Sequence, residues 1–188
     1  DLVVIGASTG GPAAVLEVLR ALPPDFALPI LFVLHIGEPF GQALADWMAG
    51  NLKRRVIQAR DGDPLPRPGE ACVYMAPPDR HLVVQQGRLV LTDGPERHSC
   101  RPSVDVLFES VARELGPRAV ACLLTGMGRD GAAGMLAIKD AGGLTIAQDE
   151  ATSVVYGMPR EAVLLGAAMR VLPLDAIGPA LLALAPGR

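Results

Sequence analysis

Short apolar runs that recur between helix-patterned segments constrain this chain more than any other feature. Residues 2–5, 30–34, 56–59, 72–75, 119–124, 144–147 and 170–172 are such runs, and several are rich in Val and Ile. They are too short for amphipathic helices and lack polar alternation, which is the pattern of strands covered on both faces. The segments between them read as helices. Gly11-Pro12 opens one, with Pro at its first position and Pro23-Pro24 beyond its end. Residues 39–52 form another, with Phe40, Leu44, Trp47 and Met48 expected on one face. Ser103 is expected to cap a third, with Asp105 in its first turn. Its core face is Val104, Leu107, Phe108, Val111, Ala112 and Leu115, and Gly116 stops it. Residues 132–140 continue the pattern, Pro159 starts a further helix, and Asp175 is expected to cap a last one reaching Leu184. Residues 82–85 and 88–92, joined across Gln86-Gly87, read as an antiparallel hairpin. Strands joined by helices demand right-handed crossovers. The expected fold is therefore α/β: a doubly wound, mostly parallel sheet with helices on both faces and one antiparallel β-hairpin.

Half of the 188 residues are apolar and a fifth are charged, so a substantial core can form and disorder is excluded. The 21 glycines and 17 prolines cluster between the apolar runs, as tight turns require. No interdomain linker is apparent, and the Pro-rich stretch 61–69 reads as a surface loop within one domain, residues 1–188. A net charge of −3 is no footprint for nucleic acid. The longest nearly unbroken apolar run, residues 27–34, contains a proline and falls far short of the ~18 residues of a membrane span. No basic segment opens the chain as a secretory signal would, and Asp1 leads straight into a strand, as in an excised domain. Cys72, Cys100 and Cys122 are odd in number and widely spaced, which reads as reduced, structural thiols of a cytoplasmic protein. With the three histidines equally scattered, no metal site and no organic cofactor are expected.

Ligands of open α/β sheets bind beyond the carboxyl ends of the strands. Three reactive side chains follow strands directly: Ser8, His35 and Asp130. A hydroxyl, an imidazole and a carboxylate on one edge are the parts of a nucleophile, a general base and its orienting acid. Gly6-Ala7-Ser8-Thr9-Gly10 also fits the G-x-S-x-G strand–turn–helix pattern, with free amides, Thr9 among them, available to an oxyanion. The plainer reading is a Ser that only caps a helix. His81 and His98 compete with His35, but neither follows a parallel strand and both are expected to be wet. A rival lies in Gly126-Met127-Gly128-Arg129-Asp130-Gly131, a G-x-G-x-x-G turn with Asp149 beyond it, the form of a dinucleotide site. Against that reading, Asp130 would bring negative charge to a turn meant for pyrophosphate. Neither glycine turn carries the Lys of a Walker loop. Arg97, Arg101 and Arg129 offer charge to an acidic partner, or are simply solvated.

Four stretches together resemble one family. They are residues 4–12 (VIGASTGGP), 101–108 (RPSVDVLF), 124–135 (LTGMGRDGAAGM) and 157–162 (GMPREA). In this order they are similar to the catalytic domain of CheB, the chemotaxis protein-glutamate methylesterase. The resemblance implies hydrolysis of glutamate γ-methyl esters on the cytoplasmic domain of chemoreceptors, with methanol released, and in some members deamidation of receptor glutamines. By the same match Ser8 is the nucleophile, His35 the base and Asp130 the acid. Main-chain amides of Thr9 and Met127 become the oxyanion donors. The family order Ser, His, Asp also matches the order of these residues here. Members typically carry a receiver domain ahead of the catalytic one. This chain departs from the family around His35, where it reads Leu34-His35-Ile36-Gly37-Glu38, and at Arg129, where a small or polar residue is commoner.

Overall fold

The computed structural model describes residues 1–52, 54–70 and 72–185. The chain runs β1 (Leu2–Ala7), α1 (Gly11–Arg20), β2 (Ile30–Leu34), α2 (Phe40–Asn51), β3 (Arg55–Gln58) and β4 (Cys72–Met75). It continues through β5 (His81–Gln85), β6 (Arg88–Thr92), α3 (Val104–Leu115) and β7 (Ala119–Leu123). It closes with α4 (Ala132–Asp140), β8 (Leu144–Gln148), α5 (Met158–Leu164), β9 (Arg170–Leu172) and α6 (Leu174–Leu182). Seven strands form one sheet in the order β3-β4-β2-β1-β7-β8-β9, and every pairing within it is parallel.

Every residue of β1, β2 and β7 is buried, because both faces of the sheet are covered. Alternation along β1 divides the core: Val3 and Ile5 join a cluster with α1, α2 and α6, while Leu2 and Val4 face α3, α4 and α5. The hairpin β5–β6 is antiparallel and stands apart from the main sheet, its Leu82, Val84 and Leu89 lodged in the second cluster. The fold is the doubly wound α/β arrangement expected from the sequence.

Three local expectations are corrected. Phe40 and Trp47 are 62% and 46% exposed, and the buried stripe of α2 is Gly41, Leu44, Ala45 and Met48. At 100° per residue, Phe40 and Trp47 fall about 40–60° beyond the edge of that stripe. Asp175 does not cap α6: the capping position is Pro173, and Asp175 lies in the first turn, where its charge still favours the helix dipole. His81 is not wet but 2% exposed, opening the hairpin against the start of α3.

From β1 the chain winds to one side of the sheet and returns to build the other side from β7. The helices that follow these two strands, α1 and α4, cover opposite faces. Their connections part at the carboxyl ends of β1 and β7, which opens a crevice at a topological switch point.

Candidate active site

The register of the central strands brings the first two candidates together. Ala7 pairs with Leu34, so Ser8 and His35 leave neighbouring strands at one level, and His35 N donates to Ala7 O at 3.3 Å. The loop after β7 closes the other side: Ser8 N donates to Thr125 O at 3.0 Å. Gly126 permits this approach, since a Cβ there would lie 2.9 Å from Ser8 Cβ and collide with Met158. Gly10 turns the chain into α1 with φ +78°, a conformation that suits a residue without Cβ. Ser8 is no side-chain cap: α1 begins without one, and only the Ser8 carbonyl takes part, accepting from Gly11 N at 2.7 Å.

Asp130 is 2% exposed and receives four hydrogen bonds. His35 Nε2 donates to Oδ2 at 2.8 Å and Val104 N to the same oxygen at 2.7 Å. Ser103 Oγ donates to Oδ1 at 2.7 Å and Asp105 N to Oδ1 at 3.0 Å. The acid therefore sits on the amino end of α3, where the helix dipole favours negative charge. Gly6 makes room for this helix start, because any Cβ on it would strike Val104. Burial opposes ionisation of Asp130, but the bonds from His35, Asp105 N, Ser103 and Val104 N outweigh it. The carboxyl stays below its ordinary range.

Asp130 and His35 are in direct contact, and Ser8 lies beside His35 on the same edge. Among the described residues no hydrogen bond joins the Ser8 hydroxyl to the ring, and catalytic hydrogen bonds of this kind commonly tighten when substrate binds. The amides of Thr9 and Met127 flank the crevice, and neither donates to another group among the described residues. Unspent N–H groups of this kind are open to an anionic oxygen. Met127 is 68% exposed, and with Cys100, Arg129 and Glu161 it lines a cleft of about 510 Å³ beside Asp130.

Further polar groups surround this centre. Asp105 is buried, and that burial, with the charge of Asp130, raises its carboxyl, only partly offset by the bond from Gly134 N at 2.6 Å and the Arg97 guanidinium; His98 Nε2 also bonds it at 3.1 Å. His98 Nδ1 accepts from Arg129 Nε at 3.2 Å. Arg97 pairs with Glu109 at 2.7 Å and Arg101 with Asp79 at 2.7 Å. The three arginines are thus engaged within the chain. His81 accepts from Ser103 N through Nδ1 at 3.1 Å and bonds Pro95 O through Nε2 at 3.0 Å, which fixes the proton on Nε2. Sequence reasoning missed Ser103 as a ligand of Asp130, because a Ser before a helix signals a cap. Its oxygen does both, accepting from Val106 N at 3.4 Å.

In the G-x-G-x-x-G turn the following helix, α4, spends its Gly134 amide on Asp105 Oδ1 at 2.6 Å. The acid of the turn, Asp130, folds inward onto α3, whose leading amides it occupies. Fold and site together define a doubly wound α/β domain that gathers a serine, a histidine and a buried aspartate at its switch point. The CheB methylesterase family model matches residues 3–181. The chain is 56% identical over 181 residues to "Protein-glutamate methylesterase/protein-glutamine glutaminase 2" of Anaeromyxobacter dehalogenans (strain 2CP-C), covering 96% of this chain and 52% of that protein. It is 52% identical over 182 residues to "Protein-glutamate methylesterase FrzG" of Myxococcus xanthus, covering 96% of this chain and 54% of that one. The crystal structure of the Thermotoga maritima CheB methylesterase catalytic domain superposes with a TM-score of 0.91 at 36% identity, covering 98% of both chains. The chain belongs to the CheB methylesterase family. It spans about half the length of the curated relatives it matches, and this family, not a nucleotide-binding module, accounts for the glycine-rich turn. No described helix is long and apolar enough to cross a membrane.

Proposed function

We propose that this domain hydrolyses γ-methyl esters of glutamate side chains on the cytoplasmic part of methyl-accepting chemoreceptors, and deamidates glutamines there by the same route. The observation that carries the reading is the contact of a partly buried His35 with the buried Asp130, 2.8 Å apart, beside a serine held at the same level of the sheet edge. Ser8 Oγ attacks the ester carbonyl carbon and passes its proton to His35 through Nδ1, the nitrogen that Asp130 leaves free. Asp130 holds the ring and stabilises its charged form. The carbonyl oxygen becomes an oxyanion on the Thr9 and Met127 amides, each worth about 3–4 kcal/mol. Collapse expels methoxide, which takes the proton from His35 and leaves as methanol, so that the acyl group remains on Ser8. Water then attacks the acyl carbon, gives a proton to His35, and releases the carboxylate and the restored serine.

These steps use no metal and no organic cofactor. Adaptation in the cytoplasm, with a receiver domain as regulator of this unit, belongs to the same proposal, and the family resemblance supports it. Release of labelled methanol from methylated receptor membranes is the measurement. Ser8→Ala should lower turnover by up to ~10⁶-fold, and near-normal release by that variant would refute the mechanism. Binding of NAD or ATP at micromolar concentration without any esterase activity would instead favour the nucleotide-site reading of residues 126–131.

A further inference from the structure

His35 spends only one ring nitrogen on Asp130. The other, Nδ1, lies 3.6 Å from Cys100 Sγ. Two ligands of one tetrahedral zinc, about 2.0–2.1 Å from it for nitrogen and about 2.3 Å for sulfur, stand roughly 3.5 Å apart. The pair is therefore already at the separation that a shared cation requires. Cys100 Sγ, a His35 ring nitrogen and an Asp130 oxygen lie within 4.8 Å of one another. Asp130 supplies the outer part of such a site. Metal-bound histidines donate their second N–H to a carboxylate, and the Nε2 bond to Asp130 leaves the lone pair on Nδ1, facing the sulfur.

The thiol is also held in place. Arg97 and Cys100 exchange backbone bonds of 3.1 and 2.9 Å around a turn in which His98 and Ser99 have φ of +52° and +59°. The cleft beside Asp130 reaches Cys100 and gives a path of entry. The neighbouring group His98, Asp105 and Asp130 does not qualify, because both His98 nitrogens are already bonded and the Arg97 guanidinium stands 3.5 Å from Asp105.

We propose that Cys100 Sγ and His35 Nδ1 bind one thiophilic divalent cation, with zinc as the type, and that the bound ion silences the hydrolytic centre. The thiol gives its proton to solvent as the sulfur–metal and nitrogen–metal bonds form, water completes the shell, and no electron is transferred. The silencing half rests on the role of His35 as base, since the metal occupies the nitrogen that would receive the Ser8 proton. The binding half does not.

The test uses the chain stripped with chelator, Zn²⁺ as the calorimetric probe and Co²⁺ as the optical one. One equivalent should bind in the micromolar range, and Co²⁺ should show a thiolate charge-transfer band in the near ultraviolet. Cys100→Ser should remove the band and weaken Zn²⁺ binding by about tenfold or more, whereas Cys72→Ser should keep both. Ester hydrolysis by the unmodified chain should fall in step with occupancy and return on chelation. The Cys100→Ser protein should hold its own metal-free rate at the same Zn²⁺ concentration. Absence of saturable binding, or binding unchanged by Cys100→Ser, overturns the site. Occupancy without inhibition overturns the silencing. Binding by a chain that hydrolyses no ester supports the site and refutes the proposed function, so the two readings fail separately.

Discussion

Asp130 gathers donors from two distant segments, His35 after β2 and three groups at the start of α3, so a one-atom change tests its role. Asp130→Asn replaces an acceptor oxygen with NH₂ among groups that donate. Turnover should fall around ~10⁴-fold, and stability at neutral pH should fall on the order of 3 kcal/mol, as when a buried pair loses one partner. The pH dependence has a definite sign. The folded carboxyl titrates below its ordinary value, so its stabilisation is complete above about pH 4 and is lost as pH falls through the lowered folded value. Urea midpoints of the two proteins should therefore converge in acid and separate above that range. Ser103→Ala removes one bond to the same carboxylate and leaves the Asp105 and Val104 amides in place. It should cost about 1.5–3 kcal/mol and lower kcat more than it raises KM, which steady-state kinetics on methylated receptor would read. Ser8 and Asp130 were legible in the sequence because glycine turns after apolar runs announce them. Cys100 against His35 was not, since 65 positions separate them and no spacing rule spans that distance.

Among the elements, the connection from β7 to α4 matters most to the site: Thr125 O takes the Ser8 amide, and Gly126 leaves no room for a side chain against Ser8. A methyl group there meets Ser8 Cβ at 2.9 Å and the Met158 sulfur. Gly126→Ala should cost about 1–3 kcal/mol by overpacking. It should also cut methanol release beyond what the unfolded fraction explains, because the strain falls on the serine turn. Thermal melts run beside the assay separate the two effects. The start of α3 was legible in residues 103–108, and its cap and apolar face stand where the pattern put them. The exposed faces of Phe40 and Trp47 were not, because an apolar side chain just outside a buried stripe looks the same in one dimension as one inside it. His81 misled for the opposite reason: a polar residue opening a hairpin reads as wet unless its two partners, Ser103 N and Pro95 O, are known.

At the scale of the molecule, one sheet carries two cores, with Phe32 in one and Phe108 in the other. Both side chains are fully buried. Phe32→Ala and Phe108→Ala should each cost about 3–5 kcal/mol. Because both cores rest on the same strands, each variant should lower a single cooperative transition, followed by far-ultraviolet circular dichroism. Two separated transitions would mean that the layers unfold independently. By itself the sequence determined the layered architecture and the positions of the serine, the histidine and the acid at strand ends, since hydrophobic period and glycine turns are local properties of a chain. Only the tertiary structure decided that Asp130 turns inward onto α3, that Ser103 holds it, and that a thiol faces the imidazole. Those contacts depend on strand register and on how closely helices approach the sheet, and both are set by packing between segments that share no local signal.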